Sequence, residues 1–312
     1  MDYPISDDIR RKVEQAVQEL HYSPNLAAQR LRSSFNNVIG IIARDISNSF
    51  FAEIAKGATE RAMEHGYLCF VCNTGRNAAT ELEFHELLWK NRVKGIILSG
   101  GGLDTEAYRK MLQRQLERAR RFGLRLVACA PQGVELPLVT IDFCAIARLV
   151  TGYLIERGHK RIAFITGRPD VITSQEHLRG YRSELTVRGL GIDPGLGACG
   201  DFTEQAGYET CRGLLERRAG MTGVCCGSDA EALGVIHALN ERGLGVPSDV
   251  SVVGIGDMPV AGYAKPPLTT VRVPRYEMGA RAVETILAEG EAPPLLFLPC
   301  ELIERESVKS RN

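Results

Sequence analysis

Cys69 and Cys72 have the spacing at which two thiolates can share a metal ion or exchange with a disulfide. A structural zinc site needs a second pair of ligands, and the neighbouring sequence offers none. The nine cysteines are scattered through the chain, mostly inside apolar runs, and Cys225 and Cys226 are adjacent. An odd and unclustered set is typical of reduced, buried thiols, so we expect packing rather than metal or redox chemistry.

Two further motifs stop short of known catalytic patterns. His85 and Glu86 begin the pattern of a zinc-protease helix, but Trp89 stands where the second histidine is needed. Residues 100–102 are three consecutive glycines at the end of a strand-like run. Because no P-loop motif is present, we interpret them as a flexible loop rather than a phosphate cradle.

The composition is that of a globular protein with two domains. At 312 residues the chain exceeds what one core normally holds, and 44% of its residues are apolar. Lysine plus arginine and aspartate plus glutamate balance at 38 each, which leaves room only for a local basic patch. No apolar run approaches the roughly 20 residues of a membrane span. Residues 1–11 are polar and mixed in charge, unlike a signal peptide, so we expect a cytoplasmic protein.

From residue 38 onward, short β-branched runs alternate with helical periodicity, which is typical of βαβ units and a parallel sheet. The same alternation begins again near residue 142, so two α/β halves are predicted, each a doubly wound parallel sheet. The C-terminal segment could cross back between them. Strands are predicted at 38–43, 67–72, 94–98, 124–129, 161–166, 222–226, 250–255, 268–273 and 295–303. Helices are predicted at 51–65, 80–91, 105–121, 143–157, 175–188, 204–217, 229–241 and 275–288.

The loops after the predicted strands are the expected ligand site. In open parallel sheets, ligands bind beyond the carboxyl ends of the strands, where loops and helix N-termini converge. Two sheets that face each other would make these loops the walls of one cleft. The loops are the segments 44–51, 73–79, 99–103, 167–174, 227–229 and 256–261.

The first 35 residues differ in character. Ser6 can cap a helix whose first turn carries two aspartates, where negative charge suits the helix dipole. Ser23 followed by Pro24 predicts the start of a second helix, which would end near Arg32. A helix of about nine residues is marginal alone, so we expect it to order against a partner or DNA.

Seven segments match one known family in order, at residues 6–25, 27–32, 38–40, 45–54, 154–164, 246–254 and 267–271. They resemble the lactose-repressor/galactose-repressor family of bacterial transcription regulators. The resemblance implies two subdomains like those of type I periplasmic binding proteins, behind an N-terminal DNA-binding remnant and a hinge helix. It places the remnant at 1–35 and the effector-binding domain at 36–312, divided into subdomains of about 36–137 plus 274–298 and 138–273 plus 299–312.

The resemblance implies a mode of DNA contact. In this family two hinge helices of a dimer pair in the minor groove, and a leucine from each is wedged into a base step. Leu31 holds that position here, and Ala28 would allow close backbone approach. An ordinary amphipathic linker helix is the alternative. The other residues expected at the DNA are Ser23, Asn25, Gln29 and Arg32.

The resemblance also implies an effector site. Phe50 and Phe51 match positions where aromatic side chains line the effector pocket, and Phe202 matches a further aromatic wall, although each could be plain core. Aromatic rings suit the apolar face of a sugar or base. The polar candidates are Asp45, Thr173, His177, Ser228, Asp229 and Asp257.

The sequence departs from the family pattern in several places. The family commonly has an arginine in the loop after residue 167, where this sequence has Val171 and His177. His177 could equally be a partly exposed helix residue, and Ser228 a simple helix cap. Gly256 replaces a carboxylate, which leaves Asp257 as the nearest acid. A helix-turn-helix that reads the major groove normally precedes the hinge, and this sequence starts after it, through a misassigned start or a real truncation.

We therefore expect a homodimeric DNA-binding transcription repressor in which a sugar or sugar derivative changes the closure of the two halves. The dimer is expected to use residues 51–65 and 80–91. A cytosolic solute-binding protein without sequence-specific DNA binding is the alternative. A cleft enzyme using Asp229, His177 or Cys226 is less supported, because their spacing shows no nucleophile, base and orienting group. No catalytic residue, metal or cofactor is expected.

Overall fold

The computed structural model describes residues 6–20, 37–290 and 293–311. From residue 37 onward the chain forms two halves, each a six-stranded sheet flanked by helices, which confirms the predicted doubly wound α/β fold. The strands are β1 (Val38–Ala43), β2 (Leu68–Asn73), β3 (Gly95–Leu98), β4 (Arg125–Ala128), β5 (Leu138–Thr140), β6 (Ile162–Thr166), β7 (Gly197–Cys199), β8 (Gly223–Cys226), β9 (Ser251–Gly256), β10 (Thr269–Arg272), β11 (Leu295–Phe297) and β12 (Glu301–Ile303). The helices are α1 (Asp7–Glu19), α2 (Ser49–Glu64), α3 (Ala78–Lys90), α4 (Glu106–Phe122), α5 (Phe143–Glu156), α6 (Ile172–Val187), α7 (Glu204–Glu216), α8 (Asp229–Glu241), α9 (Pro259–Tyr263) and α10 (Arg275–Leu287).

The first sheet has the strand order β11-β5-β4-β3-β1-β2, and its neighbouring strands all pair in parallel. Strand β1 is buried at every position, as expected of a parallel strand covered on both faces. The order reverses between β1 and β3, where Ile39 lies opposite Gly95. A reversal point leaves a crevice at the carboxyl ends of the two strands, because their connections leave in opposite directions.

The second sheet repeats this arrangement in the order β12-β10-β9-β8-β6-β7. Its strands are parallel except for β12, which pairs antiparallel with β10 and places Leu302 opposite Val271. The order reverses between β6 and β8, where Ile162 lies opposite Gly223. Each half therefore provides one crevice suited to a ligand.

The described chain crosses between the halves three times: between β5 and α5, between β10 and α10, and between β11 and β12. Strand β5 belongs to the first sheet, so the predicted subdomain boundary after residue 137 comes too early. The single strand predicted at 295–303 is two strands, one in each sheet. Pro299 separates them because proline has no N–H for a strand ladder.

Helix α1 lies apart from both cores, and none of its residues is buried. Ile9, Val13 and Val17 are exposed along it. Ser6 occupies the N-cap position, but its side chain makes no capping hydrogen bond, so the predicted side-chain cap is wrong. The residues predicted to contact DNA lie outside the described residues; they are Ser23, Asn25, Ala28, Gln29, Leu31 and Arg32.

Candidate functional site

A cavity of about 110 Å³ lies between the two halves, at the carboxyl ends of the central strands. The first half lines it with Arg44 after β1, Ser99 after β3 and Cys129 after β4. The second half lines it with residues that follow β6, β8 and β9, among them Gly227 and Met258. The two reversal points therefore face one another across a single cavity, and the loops predicted from the sequence form its walls.

Aromatic rings form much of the cavity wall. The Asn48 side chain accepts a hydrogen bond from the backbone N–H of Phe50 at 2.9 Å and so begins α2, which puts Phe50 and Phe51 in its first turn. Their rings meet edge to face with centroids 5.4 Å apart. Phe202 lines the second half of the cavity, as does Phe143 at the start of α5. Three of these four aromatic residues were expected from the sequence, and Phe143 was not.

His177 lies in the cavity wall, and its side chain is almost fully buried. Its Nδ1 atom is 3.2 Å from the Thr166 hydroxyl, and Nε2 has no hydrogen-bond partner among the described residues. Burial lowers the pKa of His177 to about 4, so the ring is neutral near pH 7. The interpretation of His177 as a partly exposed helix residue is therefore wrong, because its ring packs between Phe143 and Phe202.

Thr173 and Ser228 also line the cavity, as predicted by the choice of loops. The Ser228 hydroxyl accepts a hydrogen bond from the N–H of Glu231 at 3.1 Å and donates to the carbonyl of Phe202 at 3.3 Å. Ser228 is thus the cap of α8, and its side chain ties the helix to the aromatic wall.

Two predicted carboxylates lie outside the cavity lining. The Asp229 side chain is fully buried and accepts hydrogen bonds from the Thr270 hydroxyl and from the N–H of Met258, the latter at 2.7 Å. Burial raises the pKa of Asp229 to about 6. Asp257 pairs with Arg272 and Arg305, each at 2.7 Å. Both carboxylates already have partners that hold the second half together.

Asp45 is likewise outside the lining. It accepts a hydrogen bond from the Ser47 hydroxyl at 2.6 Å and lies 3.8 Å from the Arg76 guanidinium. Its influence on the cavity is therefore exerted through Arg76, which does line it. Contact of any of these residues with an effector stays a prediction.

Three arginines that the sequence analysis did not single out line the cavity: Arg44, Arg76 and Arg168. Each stands in a loop that was predicted to form the cleft, directly after β1, β2 or β6. Loop membership was the available signal, but the spacing of a charged residue does not show whether it turns inward. The cavity therefore has more positive charge in its walls than the predicted site residues provide.

Hydrogen bonds join the halves along one rim of the cavity. The N–H of Asp104 donates to the carbonyl of Asp170 at 2.7 Å, and the N–H of Ile172 donates to the carbonyl of Gly102 at 3.0 Å. The Arg76 guanidinium reaches the carbonyl of Asp201 from the other half. These bonds need the halves to be close together, so they belong to the closed arrangement.

The alternative chemistry weighed for the cysteines finds no support in the described residues. Burial raises the pKa of both Cys69 and Cys72 to about 11, which disfavours a reactive thiolate. Within residues 6–20, 37–290 and 293–311, no three His, Cys, Asp or Glu side chains are close enough together to hold a metal ion. None of the helices described in those ranges combines the length and apolar character needed to cross a membrane.

Comparison with known proteins places the chain among transcription regulators. The model of the periplasmic binding protein-like domain matches residues 151–308. The HTH-type transcriptional repressor CytR of Escherichia coli K12 is 32% identical over 312 residues, covering 98% of this chain and 89% of the relative. The ribose operon repressor of the same strain is 33% identical over 307 residues, covering 97% and 92%.

Solved structures agree with these relatives. A transcriptional regulator CelR–cellobiose complex matches with a TM-score of 0.78 and 31% identity, over 97% of this chain and 91% of that one. The lac repressor dimer bound to operator matches with a TM-score of 0.86 over 99% of this chain and 92% of that one, and at 24% identity it supports the fold alone. The chain belongs to the lactose-repressor/galactose-repressor family of transcription regulators.

Proposed function

We propose that this protein is a DNA-binding transcription repressor controlled by a small molecule that binds in the cavity between the halves. The observation that best supports this proposal is that residues of both halves line the cavity. Hydrogen bonds such as Asp104 to Asp170 join the halves at its rim. A molecule held there contacts both halves at once, so its affinity differs between open and closed arrangements. Only such a difference in affinity can shift the equilibrium between the two.

The residues that line this cavity suit a sugar or sugar derivative. Phe50, Phe51 and Phe202 can stack on the apolar face of a ring. Asn48, Ser99 and Thr173 are hydrogen-bonding side chains in the same wall. This combination of an apolar wall with a few polar groups is what fixes the orientation of a small ligand.

A homodimer would bring two N-terminal arms together. Leu68, Phe70 and Val71 are exposed on β2, the outer strand of the first sheet, and Leu87 is exposed on the adjacent α3. An exposed apolar strip on an edge strand favours contact with a second copy. The paired arms would then insert Leu31 into the minor groove, as the family resemblance implies.

The test is binding of the chain to duplex DNA, measured by fluorescence anisotropy against a pool of random-sequence duplexes. We expect the logarithm of the binding constant to fall linearly with the logarithm of salt concentration, because each phosphate contact releases a counterion. Netropsin, a minor-groove ligand, should compete. Leu31→Ala should weaken binding about tenfold or more, whereas Leu295→Ala, at an exposed position on the edge strand β11, should not.

Two results would decide against this function. A folded chain that ignores duplex DNA at low salt would favour the solute-binding alternative. Equal binding by the Leu31→Ala variant and the unchanged chain would remove the wedge from the mechanism.

A further inference from the structure

The strongest unexplained feature of the cavity is Arg44. It is the first residue after β1 and reaches the cavity at the reversal point of the first sheet. Its side chain lies across Gly100, since a Cβ atom on Gly100 would be 2.5 Å from Nε of Arg44. Gly100 therefore leaves the arginine a path that a larger residue would block.

Arg44 differs from the other two cavity arginines in its pairing. Arg76 lies 3.5 Å from the Asp201 carboxylate and 3.8 Å from that of Asp45. Arg168 donates from Nε to the Asp170 carboxylate at 2.9 Å. In the part of the chain that the structure describes, Arg44 takes part in no such ion pair.

Glu81 is an acid whose charge would act on Arg44, and it neutralises Arg44 poorly. The Tyr108 hydroxyl lies 2.8 Å from Oε1 of both Glu81 and Gln132, yet it has one hydrogen to donate. Nε2 of Gln132 already donates to two carbonyls, so its Oε1 is an acceptor. A protonated Glu81 that donates to the hydroxyl satisfies all three groups, and burial raises the pKa of Glu81 in the same direction.

The surroundings of Arg44 also disfavour an uncompensated charge. Burial lowers the pKa of Arg44 most, and Arg76 and Arg168 lower it further. Only ionised forms of Tyr108 and Glu81 would oppose this change. Even a half-buried guanidinium without a counter-charge is disfavoured, because it has lost part of its water and gained no anion.

We propose that the effector of this cavity is an anion, a small organic molecule whose carboxylate or phosphate group is bound by Arg44 with Arg168 and Arg76 beside it. A guanidinium binds either group through two parallel hydrogen bonds. Asp201 is the one carboxylate among the described lining residues, and Arg76 holds it. The proposal rests on the proposed function and narrows its ligand to acidic sugars, sugar phosphates or other acids with a flat apolar body.

The rest of the cavity wall indicates that the ligand also has an apolar part. Phe50, Phe51, Phe143 and Phe202 line the same cavity as the arginines. A ligand with one charged end and one stackable face would satisfy both regions, whereas a neutral polyol would leave Arg44 without its counter-charge.

The test compares matched neutral and anionic probes on the full chain at constant ionic strength. Glucose, gluconate and glucose 6-phosphate are titrated by isothermal calorimetry, and inorganic phosphate and acetate are compared with chloride by thermal unfolding. We expect at least one of the two simple anions to raise the Tm saturably. We expect gluconate or glucose 6-phosphate to bind at least about tenfold more tightly than glucose, and the better of the two identifies the acidic group.

Arg44→Gln removes the charge and shortens the side chain while keeping it polar. It should abolish the anion-induced rise in Tm, whereas Arg121→Gln, on the exposed end of α4, should keep it. If Arg44→Gln fails to fold, Arg168→Gln provides the second test, because the Arg168 side chain is half exposed. It should weaken anion binding about tenfold.

Three results would overturn the proposal: glucose binds as tightly as its anionic counterparts, neither simple anion has a saturable effect, or Arg44→Gln responds like the unchanged chain. The DNA assay distinguishes this failure from failure of the proposed function. A chain that binds duplex DNA but prefers neutral sugars keeps the regulatory function and loses the anion. A chain that binds anions through Arg44 but does not bind DNA keeps the anion proposal and loses the regulatory function.

Discussion

Gly101 and Thr173 face each other across the cleft so closely that a Cβ atom on Gly101 would lie 2.7 Å from Cγ2 of Thr173. Gly101 belongs to the first half, and Thr173 to α6 of the second. Carbon atoms that are not bonded pack at about 3.5–4.0 Å, so a methyl group does not fit in the closed arrangement. The absence of a side chain at Gly101 therefore sets how closely the halves approach.

Gly101→Ala should hold the cleft more open, because the added methyl group meets the other half rather than solvent. Small-angle X-ray scattering should give a larger radius of gyration than for the unchanged chain. Gly213→Ala is the matched control, since a Cβ atom on Gly213 in α7 would meet nothing within 4 Å. An unchanged radius of gyration in the Gly101→Ala variant would show that the Thr173 side chain moves aside while the halves keep their spacing.

Glu231→Gln should change how stability depends on pH. Oε1 of Glu231 accepts the Phe202 N–H at 2.9 Å, while burial raises the pKa of Glu231 from 4.5 to about 8. Between these values the folded chain keeps a proton that the unfolded chain releases. The free energy of unfolding therefore falls as pH rises, by up to about 1.4 kcal/mol per pH unit, and levels off above the folded pKa.

Urea unfolding at about pH 5 and about pH 8 checks this dependence. Glutamine can accept the same hydrogen bond without titrating, so the variant should gain stability relative to the unchanged chain as pH rises. Parallel stability curves for the two proteins would show that Glu231 is already ionised in the folded state.

His85→Leu should stabilise the protein by about 1–3 kcal/mol near pH 7, because a buried polar group without partners is costly. The His85 side chain is fully buried, and neither ring nitrogen has a hydrogen-bond partner among the described residues. Burial lowers the pKa of His85 from 6.5 to about 4, so the unchanged chain loses stability as pH falls through that window. The gain should therefore grow towards pH 5.

Urea unfolding measures the gain at both pH values. His65→Leu, at an exposed histidine, should change stability by less than about 0.5 kcal/mol. A destabilised His85→Leu variant would mean that the ring contributes contacts that leucine does not replace.

Phe70→Glu should convert the proposed dimer into a monomer. Phe70 is 44% exposed on the outer strand of the first sheet, and a carboxylate buried there without a partner would disfavour association. Phe297→Glu is the matched control, because Phe297 is 54% exposed on β11 at the opposite edge. Sedimentation velocity should show a monomer for the first variant and a dimer for the second, and a dimeric Phe70→Glu would move the interface elsewhere.

The regular elements of this fold follow closely from the sequence, and the short ones do not. Strand β1 and helix α8 have the predicted bounds because one is a continuous apolar run and the other a long periodic helix behind a serine cap. Strands β5 and β7 were missed, since three residues each are too few to show a period. Short strands of this kind are defined by their neighbours rather than by their own residues.

The site divides in the same way. The loops that form the cavity could be predicted from strand ends alone, and Phe50, Phe51 and Phe202 do line it. Which charged residues face the cavity could not be predicted from the sequence. Asp257 pairs with Arg272, 15 residues away, and sequence spacing does not reveal such partners. The sequence of a loop does not distinguish an arginine that turns into the cavity from one that turns to solvent.

The positions of β11 and β12 restrict how this protein can be made and divided. The chain delivers one edge strand of each sheet within one short stretch, residues 295–303. Neither half has all its strands until this stretch has been synthesised, so both mature together. A half therefore cannot be exchanged between relatives, or expressed alone, by cutting the gene at a single place.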